Sequence, residues 1–161
     1  MHHRVRKAKF ADLPRILEIY EYARNFMAAN GNPNQWGKTN PPRETLEADI
    51  AAKRLYTVRG GDEICGVFFF EMGEDPTYRR IENGVWLSDA PYGTIHRVAS
   101  KGKGGVFAAC VEFCLKKCAH LRIDTHRDNH IMRHVIEKAG FQRRGIIYIA
   151  DGSPRIAYER V

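Results

Sequence analysis

The sequence predicts a mixed α/β fold, with strands and helices interleaved along a single unit. Three observations carry this. Leu13, Ile16, Leu17, Tyr20, Ala23 and Met27 recur at helical spacing. Val67-Phe68-Phe69-Phe70 is a short run apolar on both faces, the mark of a central strand. A glycine cluster, Gly102-Lys103-Gly104-Gly105, stands between a strand-like segment and a helix-like one.

Taken in order, residues 5–8 read as a first strand, and Asp12 is placed to cap a helix running to about Ala29. Residues 31–42, rich in Gly, Asn and Pro, predict an ordered loop with Trp36 buried in it. A second helix follows, opened by Pro42 or Arg43 and running to about Lys53. Strands are expected over 55–59 and 63–72, joined by a hairpin at Gly60-Gly61-Asp62. The stretch 73–90 is less regular, with Trp86 as a local anchor. A strand over 93–100 leads into the glycines, and 106–119 has helical spacing through Val106, Ala109, Cys110, Phe113, Cys114 and Leu115. Then come a strand over 121–125, a helix over 129–139 ended by Gly140, and a closing hairpin of strands 144–150 and 155–160 around Asp151-Gly152-Ser153-Pro154.

A length of 161 residues suits one domain spanning 1–161, and 43% apolar residues suffice for a packed core. No apolar run approaches the length of a membrane span, and the basic start is followed by no apolar segment of a signal peptide, so a cytoplasmic location is expected. His2 and His3 receive no role. The net charge of +7, from 26 Lys+Arg against 19 Asp+Glu, calls for an anionic partner. The basic residues are scattered rather than clustered with aromatics, so neither a nucleic-acid nor a membrane partner is expected. Cys110, Cys114 and Cys118 form one helical stripe. Thiolates on one stripe do not converge on zinc, so they read as small apolar side chains on a buried or half-buried face, and no metal is expected.

The chemistry-bearing segment runs from Thr94 to Phe107. A helix N-terminus offers unpaired N–H groups and the positive end of the dipole, and glycines let a phosphate approach the backbone. With Lys101 and Lys103 beside them, Gly102, Gly104 and Gly105 describe a phosphate or pyrophosphate cradle. The spacing fits neither a Walker A loop nor a GxGxxG dinucleotide fingerprint.

Two segments resemble the GNAT acetyltransferases. Lys101-Gly102-Lys103-Gly104-Gly105-Val106 stands where that family has an [RQ]xxGx[GA] loop whose backbone holds the CoA pyrophosphate. It departs at Lys101, where Arg or Gln is usual, and at Val106, where a small residue is usual. Asn129 to Phe141 is similar to the family's N-x-x-[AM]-x-x-[LV]-Y-x-K-x-G-F helix, with Ile136 in place of the tyrosine that protonates the departing thiolate. The resemblance covers nearly the whole chain. It implies a central, mostly antiparallel, splayed sheet flanked by about four helices, and acetyl-CoA as cosubstrate. It implies Val98, Ala99, Lys101, Gly102, Lys103, Gly104, Gly105, Val106 and Asn129 as its binding residues, with the pantetheine arm in a gap between the strands 95–100 and 121–125. The implied reaction is direct transfer of acetyl to a primary amine of a small molecule or peptide in a ternary complex.

Such a reaction needs a group to take the amine's proton. Glu71, at the end of the central strand, is the first candidate and His96 the second, with Tyr148 as a substitute for the missing tyrosine. His126 and His130 rank lower. The same residues also fit structural roles: a solvated strand end, a packed histidine, an ordinary strand aromatic. Asn34, Gln35 and Trp36 are placed to meet the acceptor, although Trp36 equally suits pinning the loop to the core. Trp86, Asp89 and Tyr92 bring further aromatic and acidic groups. A CoA-binding sensor that has lost catalysis is the alternative, separated by whether any amine is acetylated. The closing hairpin offers an edge strand for a homodimer.

Overall fold

The computed structural model describes residues 3–102 and 104–161, so Lys103, singled out in the cradle, lies outside the described residues. Seven strands form one sheet in the order β1-β2-β3-β4-β5-β7-β6: β1 His3–Lys7, β2 Leu55–Gly60, β3 Glu63–Met72, β4 Gly93–Ser100, β5 Leu121–Thr125, β6 Gln142–Tyr148 and β7 Pro154–Arg160. Every pairing is antiparallel except β4 with β5. That parallel step requires a crossover, which α3 (Val106–Leu115) supplies. The other helices are α1 (Leu13–Ala29), α2 (Arg43–Ala51) and α4 (His130–Lys138).

Alternation along the strands divides the side chains between two faces. On one face Tyr56, Phe68, Phe70, Ile95, Leu121 and Ile123 pack with Val106, Cys110 and Cys114 of α3 and Ile136 of α4. On the other, Leu55, Val67, Phe69 and Ala99 pack under Ile16, Ile19 and Tyr20 of α1 and Leu46 and Ile50 of α2. A third cluster, Tyr78, Tyr92, Ile147 and Ala157, holds residues 73–92 against the β5–β7–β6 end of the same face. Cys110 and Cys114 are fully buried on α3, as the stripe implied, whereas Cys118 lies beyond the end of the helix and is half-buried; all four cysteines are free.

The element order follows the sequence reading, with ends displaced. The helix read to Ala119 ends at Leu115, because Lys116 to Cys118 turn back through bonds to the Phe113 and Cys114 carbonyls. The hairpin strand expected over 144–150 starts at Gln142. Asp12 sits at the N-cap of α1 but does not cap it: its carboxylate accepts the Lys9 N–H at 2.9 Å and pairs with Arg59 at 3.6 Å.

Candidate active site

The parallel pair β4–β5 is short. Gly93, Thr94 and Ile95 pair with Leu121, Arg122 and Ile123, and beyond them the strands part. From His96 onward no strand among the described residues pairs with β4 on its β5 side, so its backbone there is open to a ligand. The parting coincides with a bulge: Val67 pairs with Ala99 but Phe69 with His96, leaving one extra residue on β4. The residue that absorbs it is Arg97, left-handed at φ 52°. A non-glycine residue in that region costs on the order of 1 kcal/mol or more and persists only when its surroundings hold it. Three contacts do so here. The Tyr20 hydroxyl donates to the Arg97 carbonyl at 2.8 Å, the guanidinium pairs with buried Asp49 of α2, and it lies 4.8 Å over the Phe69 ring. By breaking the alternation, the bulge turns both His96 and Ala99 toward the α1–α2 face.

Two cavities open along this free edge. The first, about 210 Å³, is lined by Val98, Ala99, Ser100 and Gly102, by Ala23, Phe26 and Met27 of α1, and by Asn129 and Met132 at the start of α4. It is a mostly apolar slot ending at the glycine loop. There Gly105 holds the left-handed N-cap of α3 at φ 96°, and the space around Gly104 is open to 4 Å. An apolar slot along a free strand edge suits a pantetheine arm, with the pyrophosphate of CoA on the N–H groups of the loop and of α3. Asn129 caps α4, accepting the Met132 N–H at 3.1 Å, while its amide donates to Gln35 Oε1 at 3.0 Å. Lys101 turns away to Glu18 of α1 at 2.5 Å.

The second cavity, about 380 Å³, begins at the next residues of the same edge. It is lined by His96, Arg97, Asp75, Asp124, Arg155 and the loop residues Gln35 and Trp36, among others. His96 Nε2 donates to Asp75 Oδ2 at 2.8 Å, and Nδ1 faces Asp124 Oδ1 at 3.4 Å. An imidazole can donate from both nitrogens only as the cation. Burial is the largest single influence and pulls its pKa down, but Asp124 and Asp75 together outweigh burial and lift it to about 9. Asp75, whose burial is outweighed by His96 and Thr77, falls to about 2. Near neutral pH the trio is therefore imidazolium between two carboxylates. Tyr78 supports it from behind, donating to Asp124 Oδ1 at 2.7 Å.

No sequence-family model matches the chain, and no curated protein sequence is significantly similar to it. Its structure, however, superposes on a GNAT-family acetyltransferase from Streptococcus agalactiae with a TM-score of 0.87 and 27% identity, over 99% of this chain and 95% of that one. The chain is a GNAT-superfamily acyltransferase. A GNAT-family acetyltransferase from Listeria monocytogenes (TM-score 0.71, 15% identity, 98% of this chain and 94% of that one) shares the fold. So does the aminoglycoside N(6')acetyltransferase of Legionella pneumophila (TM-score 0.69, 14% identity, 99% of this chain and 93% of that one).

Within this GNAT framework the residues read from the sequence are placed unevenly. Val98, Ala99, Gly102 and Asn129 line the first cavity, and Gly104 and Gly105 form the loop above it. Val106 is buried beneath the loop, where its methyl groups would lie 2.5 Å from a Cβ on Gly66. The missing side chain of Gly66 makes the room that lets a valine stand where the family has a smaller residue. Gln35 and Trp36 line the second cavity, whereas Asn34 is exposed and outside it. Trp36 does both things its sequence allowed, packing edge-on against Tyr20 at 5.5 Å while forming a cavity wall. Glu71 lies on the face of His96 but half-exposed, pairs with Arg54 at 3.4 Å, and lines a separate surface hollow. Tyr148 donates to Glu82 at 2.8 Å on the exposed edge strand, outside both cavities. That edge is partly covered, because Glu82 bridges to Ile146.

Sequence reasoning passed over Asp75, Asp124, Arg155 and the side chain of Arg97. Asp124 carried a usable signal, the lone carboxylate of the mostly buried strand Leu121–Thr125 shortly before the α4 motif. Asp75 lay in a stretch without periodicity, and only tertiary folding brings it to His96. His3, given no role, packs against the loop: its ring would lie 2.8 Å from a Cβ on Gly105.

Proposed function

We propose that the protein is an acetyl-CoA-dependent N-acetyltransferase that acetylates a primary amine by direct transfer in a ternary complex. One observation carries the reading. The slot that fits pantetheine and the polar cavity that fits an acceptor are lined by consecutive residues of one free strand edge, Val98 and Arg97. A thioester lying along that edge meets the acceptor at the bulge.

In this reading a backbone N–H at the bulge, that of Arg97 or Val98, donates to the thioester carbonyl and stabilises the charge that develops on its oxygen. The acceptor approaches from the second cavity as its free base. Its nitrogen bonds to the carbonyl carbon, and the C–S bond breaks. The proton leaves through Asp124 Oδ2, which takes no hydrogen bond among the described residues, and on to water in the cavity. His96, held as the imidazolium, positions both carboxylates rather than taking that proton near neutral pH. Glu71 stands outside this path. The sulfur departs as a thiolate, tolerable near neutral pH because thiols ionise at about 8.5.

Calorimetric titration of acetyl-CoA into the protein and into Gly104→Asp tests the cosubstrate. The space at Gly104 admits the new side chain, whose carboxylate would meet the pyrophosphate, so binding is expected in the first and lost in the second. Thiol release across a panel of amines tests the transfer. Wild-type protein that binds no acetyl-CoA would refute the reading.

A further inference from the structure

The acceptor cavity holds one charged group that the mechanism above does not use. Arg155 of β7 is 6% exposed, and no carboxylate lies within 4.0 Å of its guanidinium among the described residues. Its two terminal nitrogens donate to backbone carbonyls, Nη1 to Pro154 at 2.9 Å and Nη2 to Gln35 at 3.2 Å, and its Nε has no acceptor among the described residues. A buried cation without a contacting counter-ion is expensive, and Asp124 and Asp151 act on this one only from a distance. Here the open side of the group faces the cavity it shares with Trp36, Ile149 and Asp124.

The register fixes its relation to the reacting end. Asp124 pairs with Ala157 of β7, so Arg155 lies on the same face, one strand across and two residues further along. Neighbouring strands are about 4.8 Å apart and two residues span about 6.8 Å. The guanidinium can therefore grip one part of a small molecule whose other part reaches Asp124. The charges around the cavity agree. Arg97 is neutralised by Asp49, and the imidazolium of His96 by one of its two carboxylates. One negative charge then remains beside the bulge, with one positive charge at Arg155.

Resting on the acetyltransferase reading, we infer that the acceptor is an amino carboxylate, a free amino acid or a close analogue, whose ammonium group is drawn to Asp124 and whose carboxylate is held by Arg155. A guanidinium presents N–H donors in a plane that matches a carboxylate, and such charge-assisted pairs are stronger than neutral ones. A polycation such as a polyamine would place a second positive charge against Arg155. A phosphate ester would bring one more negative charge than the cavity balances.

The test is calorimetric titration of the twenty L-amino acids, their amides, spermidine and O-phosphoethanolamine into the protein saturated with CoA, which cannot transfer. The expected result is at least one amino acid bound about tenfold or more tightly than its amide. In Arg155→Gln, which keeps a donor for the Gln35 carbonyl, that preference should vanish while amide binding stays within about twofold; Arg155→Lys should restore part of it. No amino acid bound, amides or spermidine bound as well as the acids, O-phosphoethanolamine bound above every acid, or a preference unchanged in Arg155→Gln would each overturn the assignment. Thiol release from acetyl-CoA, measured separately, keeps the two readings apart. Carboxylate binding without turnover would leave Arg155 its role and remove the acetyltransferase reading.

Discussion

Replacing Asp124 by Asn tests the electrostatics of the acceptor site most directly. The amide keeps the size of the carboxylate and an oxygen for the Tyr78 hydroxyl, but removes one of the two charges that hold His96 protonated. In the intact protein the imidazole is lifted from 6.5 to about 9 against the opposing effect of burial, and Asp124 is at least an equal contributor with Asp75. Since burial persists in the variant and still opposes the charge, a large part of the lift is lost, on the order of one pH unit, or roughly 1–2 kcal/mol. A group whose pKa is raised on folding contributes stability that is full below its unfolded value and disappears as pH rises through its folded value. The deficit of Asp124→Asn should therefore be greatest below about pH 6.5 and shrink toward zero above about pH 9. Imidazole titration by NMR reads the first quantity, and urea unfolding between pH 6 and 9.5 reads the second. A wild-type His96 titrating near 6.5, or an equal midpoint in the two proteins, would refute the reasoning.

Further outcomes follow from packing and burial. Gly66→Ala should destabilise by about 1–3 kcal/mol, because its Cβ would lie 2.5 Å from Val106 Cγ1, and Val106→Ala in the same chain should recover much of the loss in thermal melts. Glu159 is fully buried and bonds His120 Nε2 at 2.5 Å and the Leu87 N–H at 2.6 Å, with Arg122 3.6 Å away; Glu159→Ala leaves these groups unpaired and should cost about 3–5 kcal/mol by urea unfolding. Iodoacetamide under native conditions should modify half-buried Cys118 before Cys110 and Cys114, which are fully buried, the Cys110 thiol being pushed further up by burial; peptide mass mapping gives the order.

The parts of this protein legible in its sequence are those in which local pattern and tertiary role coincide. The α1 stripe, the apolar centre of β3 and the strand–glycine–helix transition at Gly105 each state their structure within a dozen residues. Asn129 was legible as a site residue through the resemblance carried by the segment 129–141, a local motif, and its capping bond to Met132 is local too, three residues away. The acceptor site was not legible in the same way. His96, Asp75, Asp124 and Arg155 come from four separate parts of the chain, and each taken alone is an ordinary polar residue on a strand or turn. Glu71 drew attention because it ends the central strand, but strand ends are solvated, and it finds Arg54 rather than the cavity. The bulge at Arg97 leaves no local mark either. Its left-handed backbone is held by Tyr20, Asp49 and Phe69, which lie tens of residues away in sequence.

The departing thiol bears on how the pH profile should be read. The resemblance places a tyrosine at position 136, but Ile136 is fully buried among the side chains beneath α4, while Met132 and Asn129 face the slot. No acid from that position can meet the sulfur, and Tyr148 is held at the exposed edge by Glu82. With solvent protonating the thiolate, no enzyme acid need limit turnover at high pH. An alkaline limb near 9 in kcat/KM would then report His96, whose loss of one N–H frees a carboxylate and dissolves the arrangement at the bulge. Asp124→Asn separates the possibilities, because it lowers the His96 midpoint without touching the sulfur. The limb should move down, by on the order of one pH unit, in the residual activity of the variant. A limb that stays in place would take it from His96 and assign it either to the acceptor's own ammonium or to an acid at the leaving group, which acceptors of different amine pKa would tell apart.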